Sequence, residues 1–153
     1  MLLSPLVIGE DVDDPEFMDN CWSRLVSRFE EVGFDGLTES ERVYFLVQLA
    51  DAEVNNGGFH AVCYNPTGEY GTRFVDAFRA IGATGKASLF DNLNSVFGAD
   101  GLPEDFRVRE AAHSALSKSE SANIDELDTK YFDSDEQIDD LLRKWVESEE
   151  ICL

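Results

Sequence analysis

The stretch that most narrows the fold runs from Thr38 to Ala50. Thr38-Glu39-Ser40-Glu41 is a capping box, with Thr38 as the cap and Glu41 three residues on. Val43, Tyr44, Phe45, Leu46, Val47, Leu49 and Ala50 follow almost without interruption. A helix with that content is apolar nearly all round and has to be buried on every side. A buried strand over 43–47 competes on apolar content alone. The capping box and the segment length favour a central helix ending near Asn55.

The next stretch is built to turn. Glu53-Val54-Asn55-Asn56-Gly57-Gly58-Phe59-His60 places two Asn beside two Gly, residues that tolerate positive φ and bond their own backbone. Phe59 returns an aromatic to the interior, and Tyr64-Asn65-Pro66-Thr67-Gly68 makes a second break. We expect a short helix from Gly58 to Tyr64. Glu53, Asn55, Asn56, Gly57, Gly58, Phe59 and Asn65 read as a structural turn. A phosphate loop would need a different glycine spacing and a Lys.

Helical spacing recurs along the rest of the chain. Asp14 is a cap with Pro15 in the first position, Phe17, Cys21, Leu25, Phe29 and Val32 follow, and Gly33 and Gly36 are expected to stop the helix. A helix from Tyr70 or Thr72 carries Phe74, Phe78 and Ile81 and ends at Gly82. Thr84 caps one with Leu89, Phe90, Leu93, Val96 and Phe97 inward. Pro103 starts another, with Val108, Ala112, Ala115 and Leu116 as its apolar side. Residues 117–123 are polar and read as loop, with Leu127, Tyr131 and Phe132 pinning a short turn. Ser134-Asp135-Glu136-Gln137 reads as a capping box opening a last helix with Ile138, Leu141, Leu142, Trp145 and Val146 inward. No strand-type alternation occurs. The expected fold is all-α, a single domain over 1–153 with about six main helices, the short helix after Asn-Asn-Gly-Gly and an acidic lead-in over 1–14.

Charge restricts function more than any motif does. The chain has 32 Asp+Glu against 12 Lys+Arg, a net charge of −20. That balance repels nucleic-acid phosphates and anionic membranes and attracts basic proteins. Asp11, Asp13, Asp14, Asp125, Glu126, Asp128, Asp133, Asp135, Glu136, Asp139, Asp140 and Glu147 are the acidic residues expected to meet such a partner. Solubility and salt adaptation are the competing explanations of the charge. Three Cys without close spacing (Cys21, Cys63, Cys152) suggest free thiols and a reducing compartment. The apolar opening to Ile8 is short for a signal segment and lacks a basic start, so a cytoplasmic location is expected.

Candidate chemistry is thin. His60 and Cys63 are spaced i, i+3, and Glu53 could join them, but zinc needs more ligands than these. A Cys63 nucleophile with His60 or His113 as base is disfavoured by acidic surroundings, which raise a thiol pKa. Asp125–Glu136 lacks the spacing and central Gly of an EF-hand. No cofactor, metal or catalytic residue is expected.

The order Glu53-Val54-Asn55-Asn56-Gly57-Gly58-Phe59-His60, then Tyr64-Asn65 and Gly68, then Ala80-Ile81-Gly82-Ala83, resembles a bacterial domain-of-unknown-function family typified by an acidic DNA-mimic protein. The resemblance is good over roughly 38–100. Ala61, Val62 and Cys63 depart from the Gln and aromatics that many members carry there. The resemblance implies an all-helical fold. For the typifying member it implies a dimer that occupies a DNA-binding protein through its acidic surface. The expected function is a non-enzymatic acidic binding protein whose partner is a basic DNA-binding protein or toxin, with a possible homodimer and no direct nucleic-acid or membrane contact. The alternatives are an immunity-like or antitoxin-like partner of a basic toxin, or a small metal-binding or enzymatic protein using His60 and Cys63.

Overall fold

The computed structural model describes residues 14–152. Asp11 and Asp13 lie outside them. Seven α-helices run in order: α1 (Pro15–Gly36), α2 (Glu39–Tyr64), α3 (Phe74–Ala80), α4 (Thr84–Val96), α5 (Phe106–Ser114), α6 (Lys118–Asp133) and α7 (Ile138–Ser148), with a 3-10 helix (Pro66–Arg73) between α2 and α3. No strand occurs among the described residues, and the segment 43–47 is helical.

α2 is the central element. Its capping box forms as the sequence predicts: Glu41 N–H donates to Thr38 Oγ1 at 3.2 Å, and Thr38 N–H donates to Glu41 Oε1 at 2.8 Å. Tyr44, Phe45, Leu46, Val47, Ala50 and Val54 are buried along it. The 3-10 helix and α1, α3, α5, α6 and α7 all pack against it. A core of aromatic side chains lies beside its second half: Phe90 stands 5.0 Å from Phe59 and 4.7 Å from Phe78 between ring centres. Such offset pairs add to the burial energy of the rings themselves.

Asn-Asn-Gly-Gly does not end α2. Asn55, Asn56 and Gly57 continue the helix, and the axis breaks at Gly58, where φ is 73° and ψ is −172°. A short helical segment resumes at Phe59. Gly33 breaks α1 in the same way, with φ 75°.

Further expectations change: α3 starts at Phe74 rather than at Tyr70 or Thr72, and Ala83, not Thr84, is the cap residue of α4. Residues 118–123 are the first turns of α6, opened by a capping box in which Glu120 N–H donates to Ser117 Oγ at 3.1 Å and Ser117 N–H to Glu120 Oε1 at 2.9 Å. The capping box expected at Ser134 does not form. Gln137 occupies the cap position of α7 without a side-chain bond, and Glu136 turns to another helix. α5 starts at Phe106 with Asp105 as its cap, not at Pro103. Its exposed side includes Phe106 and Val108, and its buried residue is Arg109. Finally, Cys21 and Cys152 form a disulfide across 131 residues, with Cα atoms 5.6 Å apart. Helix α1 and the C-terminal tail meet only in the folded chain, so sequence spacing carried no sign of it. Cys63 alone is a free, buried thiol, so two of the three cysteines no longer argue for a reducing compartment.

Among the described residues, no helix is long and apolar enough to cross a membrane.

Candidate partner-binding surface

The acidic residues divide into two groups. Some are held inward by hydrogen bonds. Asp128, on α6, accepts the Phe59 N–H at 2.8 Å and caps the short segment after the Gly58 break. Its carboxylate also fills the space a Gly58 side chain would take. Glu136 accepts the N–H groups of Gly85 and Lys86 at 2.8 and 2.7 Å. It therefore caps α4, whose own cap residue, Ala83, has no side-chain acceptor. A carboxylate at a helix start is favoured by the dipole and by the free N–H groups. Asp14 likewise caps α1 through Glu16 N–H at 2.9 Å.

The other group faces solvent. Asp125, Glu126, Asp133, Asp135, Asp139, Asp140 and Glu147 are exposed on α6, α7 and the link between them. Asp140 pairs with Arg143 at 2.9 Å, one turn along α7. Asp125 lies 3.2 Å from His60 Nε2. Glu126, Asp133, Asp135, Asp139 and Glu147 make no ion pair among the described residues. The geometry of α7 explains the separation. Ile138, Leu142 and Val146 recur every four residues and face inward, which leaves Asp139, Asp140 and Glu147 outside.

The family stretch acts as scaffold. Asn65 Nδ2 donates to Glu53 Oε2 at 3.0 Å, closing α2 onto the break that follows. Asn65 O accepts from Arg109 Nη2 at 3.0 Å. Arg109 is 1 % exposed and also donates to the carbonyls of Cys63, Pro103 and Glu104. Gly68 sits against this guanidinium: a Cβ there would meet Nε at 2.5 Å and the Val62 carbonyl. Asn55 Nδ2 donates to Asp51 O at 2.7 Å, and Asn56 and Gly57 are exposed. Residue-type reasoning places an arginine outside, so Arg109 was missed. No local pattern marks it, because its apolar neighbour Val108 faces solvent while Arg109 faces in.

His60 and Cys63 do not share a site. Cys63 Sγ–H donates back to Phe59 O at 3.4 Å, and burial pushes its thiol up to about 12 despite the nearby Arg109 charge. That thiol is protonated at neutral pH and is a poor nucleophile. His60 instead joins His113 of α5, with 2.7 Å between Nδ1 and Nε2. His60 Nε2 lies 3.2 Å from the Ser121 carbonyl, an acceptor only. The neutral pair is therefore satisfied when His60 carries its proton on Nε2 and His113 donates from Nε2. Among the described residues, no three His, Cys, Asp or Glu side chains converge as a metal site.

Fold and surface together define an all-helical acidic protein whose exposed carboxylates on α6, α7 and their link are largely without ion pairs among the described residues. Residues 35–149 match the model of the family described as DMP19-like protein, and the chain belongs to that family. No curated protein and no solved structure matches the chain.

Proposed function

We propose that the chain is a non-enzymatic binding protein of DNA-mimic type, which occupies the basic DNA-binding surface of a partner protein. The observation that carries this reading is the set of exposed, unpaired carboxylates Glu126, Asp133, Asp135, Asp139 and Glu147, on a chain of net charge −20. A partner's Lys and Arg side chains would pair with these groups in place of phosphates.

Charge spacing limits how the surface can work. At about 1.5 Å per residue, the 16 residues of α6 span roughly 24 Å. B-DNA presents a charge about every 1.7 Å of axis, both strands counted. One helix is too sparse to reproduce that, so α6, the Ser134–Gln137 link and α7 have to act together. Glu136 has both oxygens engaged by backbone N–H groups, and Asp128 has one, so these two are less available for contacts than the exposed carboxylates.

The test starts with affinity capture from the native cytoplasm. The captured basic protein is then bound to its DNA, and release is followed as this chain is added. DNA release that weakens steeply with salt is the expected result. Capture of no DNA-binding protein, or binding that leaves its DNA in place, would overturn the reading.

A further inference from the structure

A polar cavity of about 250 Å³ opens between α2, α4 and the α6–α7 link, lined by Asp51, Asn55, Lys86, Tyr131, Gln137 and Asp139 among others. It shares Asp139 with the exposed carboxylates but differs from them in holding a cation, Lys86. Lys86 is 7 % exposed. Its Nζ lies 4.1 Å from the centre of the Tyr131 ring, on the cavity wall. Among the described residues, no acceptor lies within hydrogen-bond distance of Nζ, and no carboxylate pairs with it. The ring face balances part of the charge. The ring leaves the three N–H donors without a protein acceptor, and Nζ itself is not sealed from solvent, so a ligand entering the cavity can reach it.

The acidic groups around Lys86 are not equivalent. Both oxygens of Glu136 are engaged at the start of α4. Asp51 Oδ1 accepts from Tyr131 Oη at 2.5 Å, which leaves Oδ2 without a bonded donor. Asp139 is exposed and unpaired. Burial lowers the proton affinity of Lys86, and Asp51, Glu136 and Asp139 oppose that shift. The cavity thus presents one ammonium without a protein acceptor at its wall and two carboxylates with free oxygens.

We propose that this cavity binds a small zwitterion of the α-amino-acid class, with the ligand carboxylate on Lys86 and the ligand ammonium on Asp51 and Asp139. A simple anion would meet Lys86 but also the carboxylates. A simple cation would meet the carboxylates and leave Lys86 without an acceptor. A zwitterion satisfies both signs at once. Phe132, 54 % exposed at the cavity edge, offers an apolar surface to a short ligand side chain. Asn55 gives its Nδ2 to Asp51 O, so its free carbonyl oxygen is available as a further acceptor for the ligand ammonium.

Ligand-observed NMR of the full chain against a panel of the common L-amino acids tests this, with acetate and methylammonium carrying each charge alone. At least one amino acid is expected to bind saturably, and neither half-ligand to match it. Lys86→Met, which keeps the apolar stem, should weaken binding at least about tenfold, and Asp51→Asn similarly. Asp139→Asn changes an exposed position and provides the test should Lys86→Met fail to fold. No saturable binding by any amino acid would overturn the proposal. So would acetate binding as tightly as the amino acid, or affinity unchanged in all the folded variants.

Discussion

Gly68 and Arg109 fit against one another: a side chain at Gly68 would place its first carbon 2.5 Å from Arg109 Nε. The guanidinium meets four backbone carbonyls and no carboxylate. Those carbonyls belong to the end of α2, the start of the 3-10 helix and the loop before α5. One buried cation therefore joins three segments through their carbonyls, of which Asn65 O also accepts the Gly68 N–H. Gly68→Ala is expected to destabilise the protein by about 1–3 kcal/mol, as overpacking against fixed groups does. Arg109→Met should cost at least about 3 kcal/mol, because it removes the donors and leaves buried acceptors unpaired. Urea unfolding midpoints measure both. A Gly68→Ala midpoint equal to that of the unsubstituted chain would show that the guanidinium can move aside.

Asp128 acts across helices. Its carboxylate caps the segment beginning at Phe59, directly after the Gly58 break. Asp128→Ala should cost about 1 kcal/mol, the usual loss for a removed cap acceptor. Asp128→Asn keeps an oxygen in place and should cost less. Equal losses in the two variants would mean that side-chain volume against Gly58, rather than the acceptor, is what matters.

The His60–His113 contact makes stability depend on pH. Burial lowers the affinity of His113 for a proton, and the neighbouring His60 adds to the effect. A depressed histidine is neutral in the fold, so its contribution is complete above its ordinary value of about 6.5 and declines as pH falls below it. Unfolding midpoints should drop between about pH 7.5 and about pH 5.5, and His113→Gln should flatten that drop. An identical slope in the variant would assign the pH dependence to other groups.

The disulfide closes nearly the whole described chain into one loop. Cys21→Ser, or reduction of the unsubstituted protein, should lower stability by about 2–4 kcal/mol. The measurement is the thermal midpoint with and without reductant. A midpoint indifferent to reductant in a protein shown to be oxidised would contradict that role.

Sequence periodicity revealed the helices whose inward face is apolar. Phe17, Cys21 and Leu25 on α1, and Ile138, Leu142 and Val146 on α7, are buried as their spacing predicts, whereas Val32, on the same expected stripe of α1, is exposed. The capping box at Thr38 located the start of α2. Polar composition hid the start of α6, although Ser117 and Glu120 carry the same cap signal. Three features depend on contacts between distant residues and left no local pattern. Glu136 caps α4 from 50 positions away along the chain. Arg109 finds its acceptors at Cys63 and Asn65 only after α5 packs on α2. Cys21 reaches Cys152 only when the tail folds back. In the acidic surface, composition identified which residue types matter, but not that Asp128 and Glu136 have inward tasks.

The central claim is that unpaired carboxylates on α6 and α7 replace DNA phosphates at a basic partner. The most direct measurement compares the unsubstituted chain with a variant carrying Glu126→Gln, Asp133→Asn, Asp135→Asn, Asp139→Asn and Glu147→Gln, for release of the captured partner from its DNA across a salt series. The account predicts efficient release by the unsubstituted chain, weakened steeply by salt, and little release by the variant with its helical content intact. Equal release by both proteins, or release insensitive to salt, would contradict it.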